Sequence, residues 1–212
     1  MIRDVATNWQ SISRHPLSLE DYLRLDEEIR KEAEVVEGVL VSREQRDRAH
    51  QKTGFRLAEA MESSAAKFRR VHEGGGTSPC YEVNTEVELV LWEVPLTLRK
   101  PDCVVHRCLT GFERLTAADV AVAIEVVSRW SQARDRIHKK GEYAQAGIPH
   151  YLIVQYDEAG AVSVEHYALV GAERSYSEIS TTHRDRDVFA ISMSTPFPVQ
   201  VLWQDLETAP RD

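Results

Sequence analysis

The sequence predicts an α/β protein, a mixed β-sheet flanked by helices, and three observations predict it. VAVAIEVV at residues 120–127 is a continuous apolar run of the kind found in a strand covered on both faces. Residues 46–70 contain no proline and keep apolar or small residues at Phe55, Leu57, Ala58, Met61, Ala65 and Phe68, the spacing of a long amphipathic helix. A second helical stretch, 130–146, is stopped by Gly147 and Pro149 and stands between the 120–127 run and a further buried strand at 150–155. Helices interspersed among strands in this order make an α/β sandwich.

The remaining elements follow in chain order. Residues 1–16 end at His15-Pro16 and read as a loop. Ser18 is cap-like and acids follow it, so a short helix begins there. EVVEGVLVS at 34–42 is β-branched on both sides of Gly38 and predicts two short strands joined at the glycine. Gly74-Gly75-Gly76 leaves the backbone without a preferred conformation and reads as a linker. From Tyr81 to Leu91 apolar and polar residues alternate, as in one half-buried strand. Strand pieces follow at 96–98 and 103–105. An outer strand is expected at 162–169, with shorter ones near 174–179 and 198–203. The whole chain, 1–212, is expected to form one domain, with a core over about 17–169 and residues 170–212 packed on it as an extension.

Composition excludes several classes. The 212 residues are 42% hydrophobic and 28% charged, close to a soluble globular average and far from a disordered or collagen-like chain. No apolar run reaches the ~18 residues of a membrane span, and MIRDVATNWQ lacks the apolar core of a signal peptide, so a cytoplasmic protein is expected. Three cysteines with no CxxC pair argue against a disulfide framework. Cys103-x-x-His106-x-Cys108 fits no common structural zinc spacing, so inert thiols are expected.

The net charge of −8 is unevenly spread. Residues 141–212 hold 4 basic and 11 acidic side chains, whereas 43–70 hold 8 basic against 4 acidic and 129–140 hold 5 against 1. Phosphate binding depends on local charge, so the global value does not exclude nucleic acid. Two solvated helix faces would explain the basic stretches equally well.

Two carboxylates sit in surroundings unsuited to them. Glu125 interrupts the apolar 120–127 run, and a buried carboxylate must be neutralised, paired or bound to a cation. Asp102 opens a strand directly after Pro101, behind Arg99 and Lys100. If the two strands are neighbours, Asp102 and Glu125 converge at one sheet end. With a main-chain carbonyl and water they form a hard-oxygen site for Mg²⁺ or Mn²⁺. Asp135, Lys139 and Tyr143 follow at i, i+4 and i+8 on one helix face, from which Lys139 can reach back over the sheet end. The bland alternatives are a structural Glu125–Lys139 pair and a surface Asp135–Lys139 pair. No GxSxG, Walker loop or HExxH is present.

These residues resemble a known family. Pro101-Asp102, Ile124-Glu125-Val126-Val127-Ser128 and Asp135-x3-Lys139-x3-Tyr143-x3-Gly147-Ile148-Pro149-His150-Tyr151 are similar to the Uma-two family, a restriction-endonuclease-like branch of the PD-(D/E)XK nucleases. Leu19-Glu20-Asp21-Tyr22-Leu23, Glu34-x2-Glu37-Gly38-x-Leu40 and His50 match its N-terminal half in the same order, so the resemblance spans about 17–169. It implies a restriction-endonuclease-like fold, with the N-terminal strand pair and extra C-terminal strands added to the nuclease core. It further implies Asp102, Glu125 and the Val126 carbonyl as metal ligands. The superfamily's usual lysine position is Val127 here; Lys139 matches the lysine that substitutes for it, with Lys140 as fallback. Glu34, Glu37, His50, Ser128 and Tyr143 are accessory candidates. After Ser128 the family commonly continues with proline, where this chain has Arg129-Trp130-Ser131-Gln132.

The reading is therefore a Mg²⁺- or Mn²⁺-dependent endonuclease acting on DNA. Arg43, Arg46, Arg48, Lys52, Arg129, Arg134 and Arg136 are candidates for the phosphate track, and a homodimer would place two sites on two strands. The competing reading is a catalytically silent nucleic-acid-binding or interaction module on the same fold.

Overall fold

The structure is a computed structural model, which describes residues 15–43, 46–72, 79–128 and 133–208, the side chains of 133–136 excepted. Gly74–Gly76, the 1–14 part of the N-terminal loop, Arg129 and Trp130, and the side chains of Arg134, Asp135 and Arg136 lie outside the described residues.

Four helices and twelve strands are described. Helix α1 (Leu19–Leu23) opens on a capping box, with the Ser18 hydroxyl accepting from the Asp21 N–H. It is followed by α2 (Glu27–Glu32), β1 (Ala33–Val36), β2 (Val39–Ser42) and the 25-residue α3 (Arg48–His72). Strands β3 (Tyr81–Asn84), β4 (Leu89–Glu93), β5 (Leu96–Arg99), β6 (Cys103–Arg107) and β7 (Val120–Ser128) precede α4 (Ala133–Ala146). The chain then runs through β8 (His150–Asp157), β9 (Gly160–Val170), β10 (Ser175–His183), β11 (Phe189–Met193) and β12 (Val199–Leu202).

The mixed sheet flanked by helices is present. Its main layer has six strands in the order β10-β9-β8-β7-β6-β3. Only β7 and β8 run parallel in it, because α4 carries the chain back between them; the other pairs are antiparallel. Strand alternation sorts β7 by face. Val122, Ile124 and Val126 pack with Leu57, Met61 and Ala65 of α3, and with β11 and β12. Ala123 and Val127 pack on the other face with Tyr143 of α4, Tyr151 and Ile153. Glu125 shares that second face.

A second sheet, β2-β1-β5-β4, packs on α1 through Tyr22, Val35, Leu40, Val90, Leu96 and Leu98. Its β1–β2 turn has Glu37 at φ 49° and Gly38 at φ 80°. A side chain at 38 would meet Pro16 Cβ at 2.4 Å, so glycine is required there both for its backbone and for its lack of Cβ.

The structure departs from the sequence reading in several places, the first being α2, which lies in a segment with no expected helix. The alternating 81–91 stretch is not one strand. It splits into β3 in the large sheet and β4 in the small one, where Glu86 takes φ 55° and donates its N–H to the Pro101 carbonyl. Alternation reports a half-buried face but not which sheet provides it. Strand β9 is internal, and β10 is the edge. Strand β11, paired with β12, lies in a segment with no expected strand. Finally, Cys80 and Cys108 form a disulfide, against the expectation of three inert thiols. The β3–β6 register pairs Tyr81 with Arg107 and so brings the two cysteines' Cα atoms to 5.3 Å, which counting cysteines does not reveal. Cys103 is a buried free thiol, as expected.

Candidate active site

Strand register creates the site. Cys103 of β6 lies opposite Ile124 of β7, so Asp102, one residue earlier, falls beside Glu125. The Val126 N–H donates to Asp102 Oδ2 at 2.7 Å, fixing that carboxylate against the neighbouring strand. Asp102 and Glu125 are each 5% exposed. Helix α4 passes over the Glu125 face and adds two side chains one turn apart. The Tyr143 hydroxyl donates to Glu125 Oε1 at 2.7 Å, and Lys139 Nζ stands 3.3 Å from Oε2.

The second sheet and the start of α3 supply the rest. Glu34 on β1 lies 3.6 Å from Lys139 Nζ, so the lysine bridges Glu34 and Glu125. Glu34 in turn accepts from the Lys100 N–H at 2.9 Å and from Arg99 Nη1 at 2.8 Å. The Arg99 guanidinium reaches Glu142 of α4 with two further bonds of 2.7 and 2.8 Å. From the start of α3, His50 Nε2 approaches Asp102 Oδ2 at 3.2 Å, which requires that nitrogen to carry the proton. Arg46 Nη2 lies 2.5 Å from Asp102 Oδ1.

These contacts set the acidities. Burial pushes Glu125 up; Lys139 opposes this, Asp102 and Glu34 add to it, and the carboxyl ends at about 7. Burial would also raise Asp102, but His50, Arg46 and Lys139 outweigh it and hold that carboxyl below its ordinary value. Glu34 follows the same logic, with burial overcome by Lys139, Arg99 and the Lys100 N–H. The Tyr143 phenol is driven well up by burial and then by Glu125, so it remains a donor.

A pH dependence follows for the metal-free protein. Glu125 titrates above its ordinary 4.5 in the folded state, so folding favours its protonated form. That stabilisation is complete below pH 4.5 and is lost as pH rises through about 7. Glu125→Gln, neutral throughout, is expected to be more stable than wild type at pH 8 by roughly 1–3 kcal/mol, with the gap closing near pH 5. Urea unfolding in EDTA at both values checks this; a gap independent of pH would refute it.

The other candidates disperse. Glu37 is exposed in the β1–β2 turn, its N–H bonded to Thr97 Oγ1. Lys140 places its ammonium 3.3 Å from the centroid of the Tyr167 ring, away from Lys139's partners. Ser128 ends β7, half-buried. Arg43 pairs with Glu86 at 3.7 Å, Lys52 bonds the Thr208 carbonyl, and Arg48 is exposed at the first position of α3. Arg46, expected on a phosphate track, instead faces Asp102 and Glu86. Sequence reasoning missed Glu142 and Glu86 and treated Arg99 only as a flanking charge. The one available signal was Glu142 itself, an acid between Lys139 and Tyr143 on a helix already assigned to the site.

Among the described residues no group of three or more His, Cys, Asp or Glu side chains is arranged to hold a metal. A site of two carboxylates and a peptide carbonyl does not need such a group. Asp102 Oδ1 is buried without an aligned hydrogen bond, the Arg46 contact being ionic only. Glu125 is a strained acid beside two others. All the available donors are hard oxygens, and a divalent cation would relieve both conditions, so the residues fit Mg²⁺ or Mn²⁺.

No curated protein matches the chain. A crystal structure described as a putative nuclease belonging to DUF820, from Anabaena variabilis, superposes with a TM-score of 0.63 at 14% identity, covering 90% of this chain and 97% of that one. At that identity the likeness shows the fold alone. A family model described as "Putative restriction endonuclease" matches residues 19–201, a span that contains Glu34, Asp102, Glu125 and Lys139, and on that match the chain belongs to the Uma2 family.

Proposed function

We propose that this protein is a Mg²⁺- or Mn²⁺-dependent endonuclease that hydrolyses phosphodiester bonds of DNA. The observation that carries the reading is the juxtaposition of Asp102 and Glu125 on neighbouring strands, with Lys139 3.3 Å from Glu125. Asp102, Glu125 and the Val126 carbonyl would hold the ion. When bound, it would supply Lewis acidity toward a phosphoryl oxygen and lower the pKa of a nucleophilic water. Lys139 stabilises charge that develops on the phosphate, and it is aimed by Glu34 and Glu125. Tyr143 fixes the Glu125 rotamer, leaving Oε2 toward the lysine. Arg99 locks Glu34 and so acts one step behind Lys139.

Arg48, exposed at the first position of α3, is the described candidate to meet the phosphate chain, whereas Arg43 is held by Glu86 and the Lys100 carbonyl. A homodimer would present two such sites to the two strands. Among the described residues no helix is long and apolar enough to cross a membrane.

The test is cleavage of single- and double-stranded DNA and RNA with Mg²⁺, Mn²⁺ or EDTA, by wild type and Glu125→Gln. Metal-dependent cleavage that vanishes in the variant supports the reading and names the substrate. Absence of cleavage by wild type on all four, together with no metal uptake, would replace it with a silent nucleic-acid-binding module.

A further inference from the structure

Asp102 divides its two oxygens between different kinds of partner. Oδ2 is committed to the fold, accepting the Val126 N–H at 2.7 Å and facing His50 Nε2 at 3.2 Å. Among the described residues Oδ1 is buried, has no aligned hydrogen bond, and meets only the ionic contact of Arg46 at 2.5 Å. It is therefore the oxygen left for a cation, and a guanidinium already stands on it.

Arg46 also has a second anchor. Its other terminal nitrogen pairs with Glu86 Oε1, while Arg43 approaches Glu86 Oε2 at 3.7 Å. The two carboxylates differ sharply in setting, with the Asp102 side chain 5% exposed and that of Glu86 50% exposed. The backbone holds Glu86 in place: its left-handed φ of 55° turns the chain between the two sheets, and its N–H is bonded to the Pro101 carbonyl, one residue before Asp102. The guanidinium thus bridges an inner and an outer carboxylate, each fixed by main-chain contacts.

We propose that Arg46 is an exchangeable counter-ion of Asp102, which covers Oδ1 in the metal-free protein and withdraws to Glu86 when a divalent cation binds. This rests on the reading of Asp102 as a metal ligand. A guanidinium and a divalent ion cannot share one carboxylate oxygen without strong repulsion. Leaving Oδ1 bare would strand a buried charge, so in the empty site the arginine stabilises Asp102 as the metal does in the loaded one. Glu86 makes the exchange inexpensive, because the arginine moves outward to a partner it already touches. Arg46 is in this sense a positioning residue for the ion.

Charge-conserving variants separate a gate from plain electrostatics. Arg46→Lys keeps the charge but loses the planar fork that spans both carboxylates. Glu86→Asp keeps the charge but shortens the outer anchor, to which Arg46 withdraws in the loaded state. Mn²⁺ titrations by calorimetry at pH 7.5 are expected to give at least about fivefold tighter binding for Arg46→Lys and about threefold weaker binding for Glu86→Asp, with none for Asp102→Asn. If both charge-conserving variants match wild type, the gate is wrong, even if Arg46→Gln binds more tightly through charge alone. If wild type takes up no Mn²⁺, or Asp102→Asn binds it as wild type does, the metal-site reading falls and the gate with it. Glu86 is half-exposed, so its variant remains informative if substitution at Arg46 unfolds the protein.

Discussion

Asp102→Asn is expected to abolish metal-dependent cleavage, by about 10³-fold or more, while the protein remains folded. The amide is nearly isosteric with the carboxylate, and its oxygen can still accept the Val126 N–H that now ends on Oδ2. Arg46 keeps Glu86 as a partner, so no buried cation is stranded. What disappears is the anionic oxygen beside Glu125, one of the two carboxylates in the proposed ligand set. A thermal melt of the metal-free variant within a few degrees of wild type, combined with lost cleavage, separates a ligand from a structural residue. Residual cleavage within tenfold of wild type would show that Asp102 does not hold the ion.

The largest effect on stability is expected at Arg99. Its side chain is only 5% exposed and joins Glu34 on β1 to Glu142 on α4, with three hydrogen bonds of 2.7–2.8 Å. Glu142 and Glu34 raise the guanidinium's pKa, despite burial acting the other way. Removing one member of a buried ion network strands the others, at a cost of about 3–5 kcal/mol. Arg99→Ala should lose stability on this scale by urea unfolding at pH 7.5, and Arg99→Lys should recover only part of it, because an ammonium cannot form the two-pronged bond to Glu142. Equal stability of wild type and Arg99→Ala would mean that water already serves these carboxylates. The variant should also lose activity at temperatures where it stays folded, since an unanchored Glu34 competes with Glu125 for Lys139.

Both predictions concern groups whose partners are remote in sequence, and this marks where the sequence stops being informative. Glu125 is conspicuous because a carboxylate inside VAVAIEVV has no cheap solution in an apolar strand. Lys139 and Tyr143 are legible as one face of one helix, and the structure places both on Glu125. Local periodicity states which face a residue occupies, and it does so at short range.

Adjacency is another matter. Asp102 and Glu125 converge only because β6 and β7 are neighbours in register, and a slip of one residue would turn Asp102 to the opposite face. The Arg46–Asp102 contact spans 56 residues and the Arg99–Glu34 contact 65. Nothing in the local pattern at either end encodes such pairings. The same holds for Cys80–Cys108, which exists because β3 and β6 pair, and for the break in the 81–91 stretch, whose two halves join different sheets.

Most of the elements, their buried faces and the misplaced acid that marks the site are legible in the chain's own pattern, but α2, β11 and the break between β3 and β4 are not. The tertiary structure decided which buried charges neutralise one another. Helix and strand periods are properties of the chain's own backbone, whereas charge pairing inside a fold depends on which distant segments packing brings within 3–4 Å.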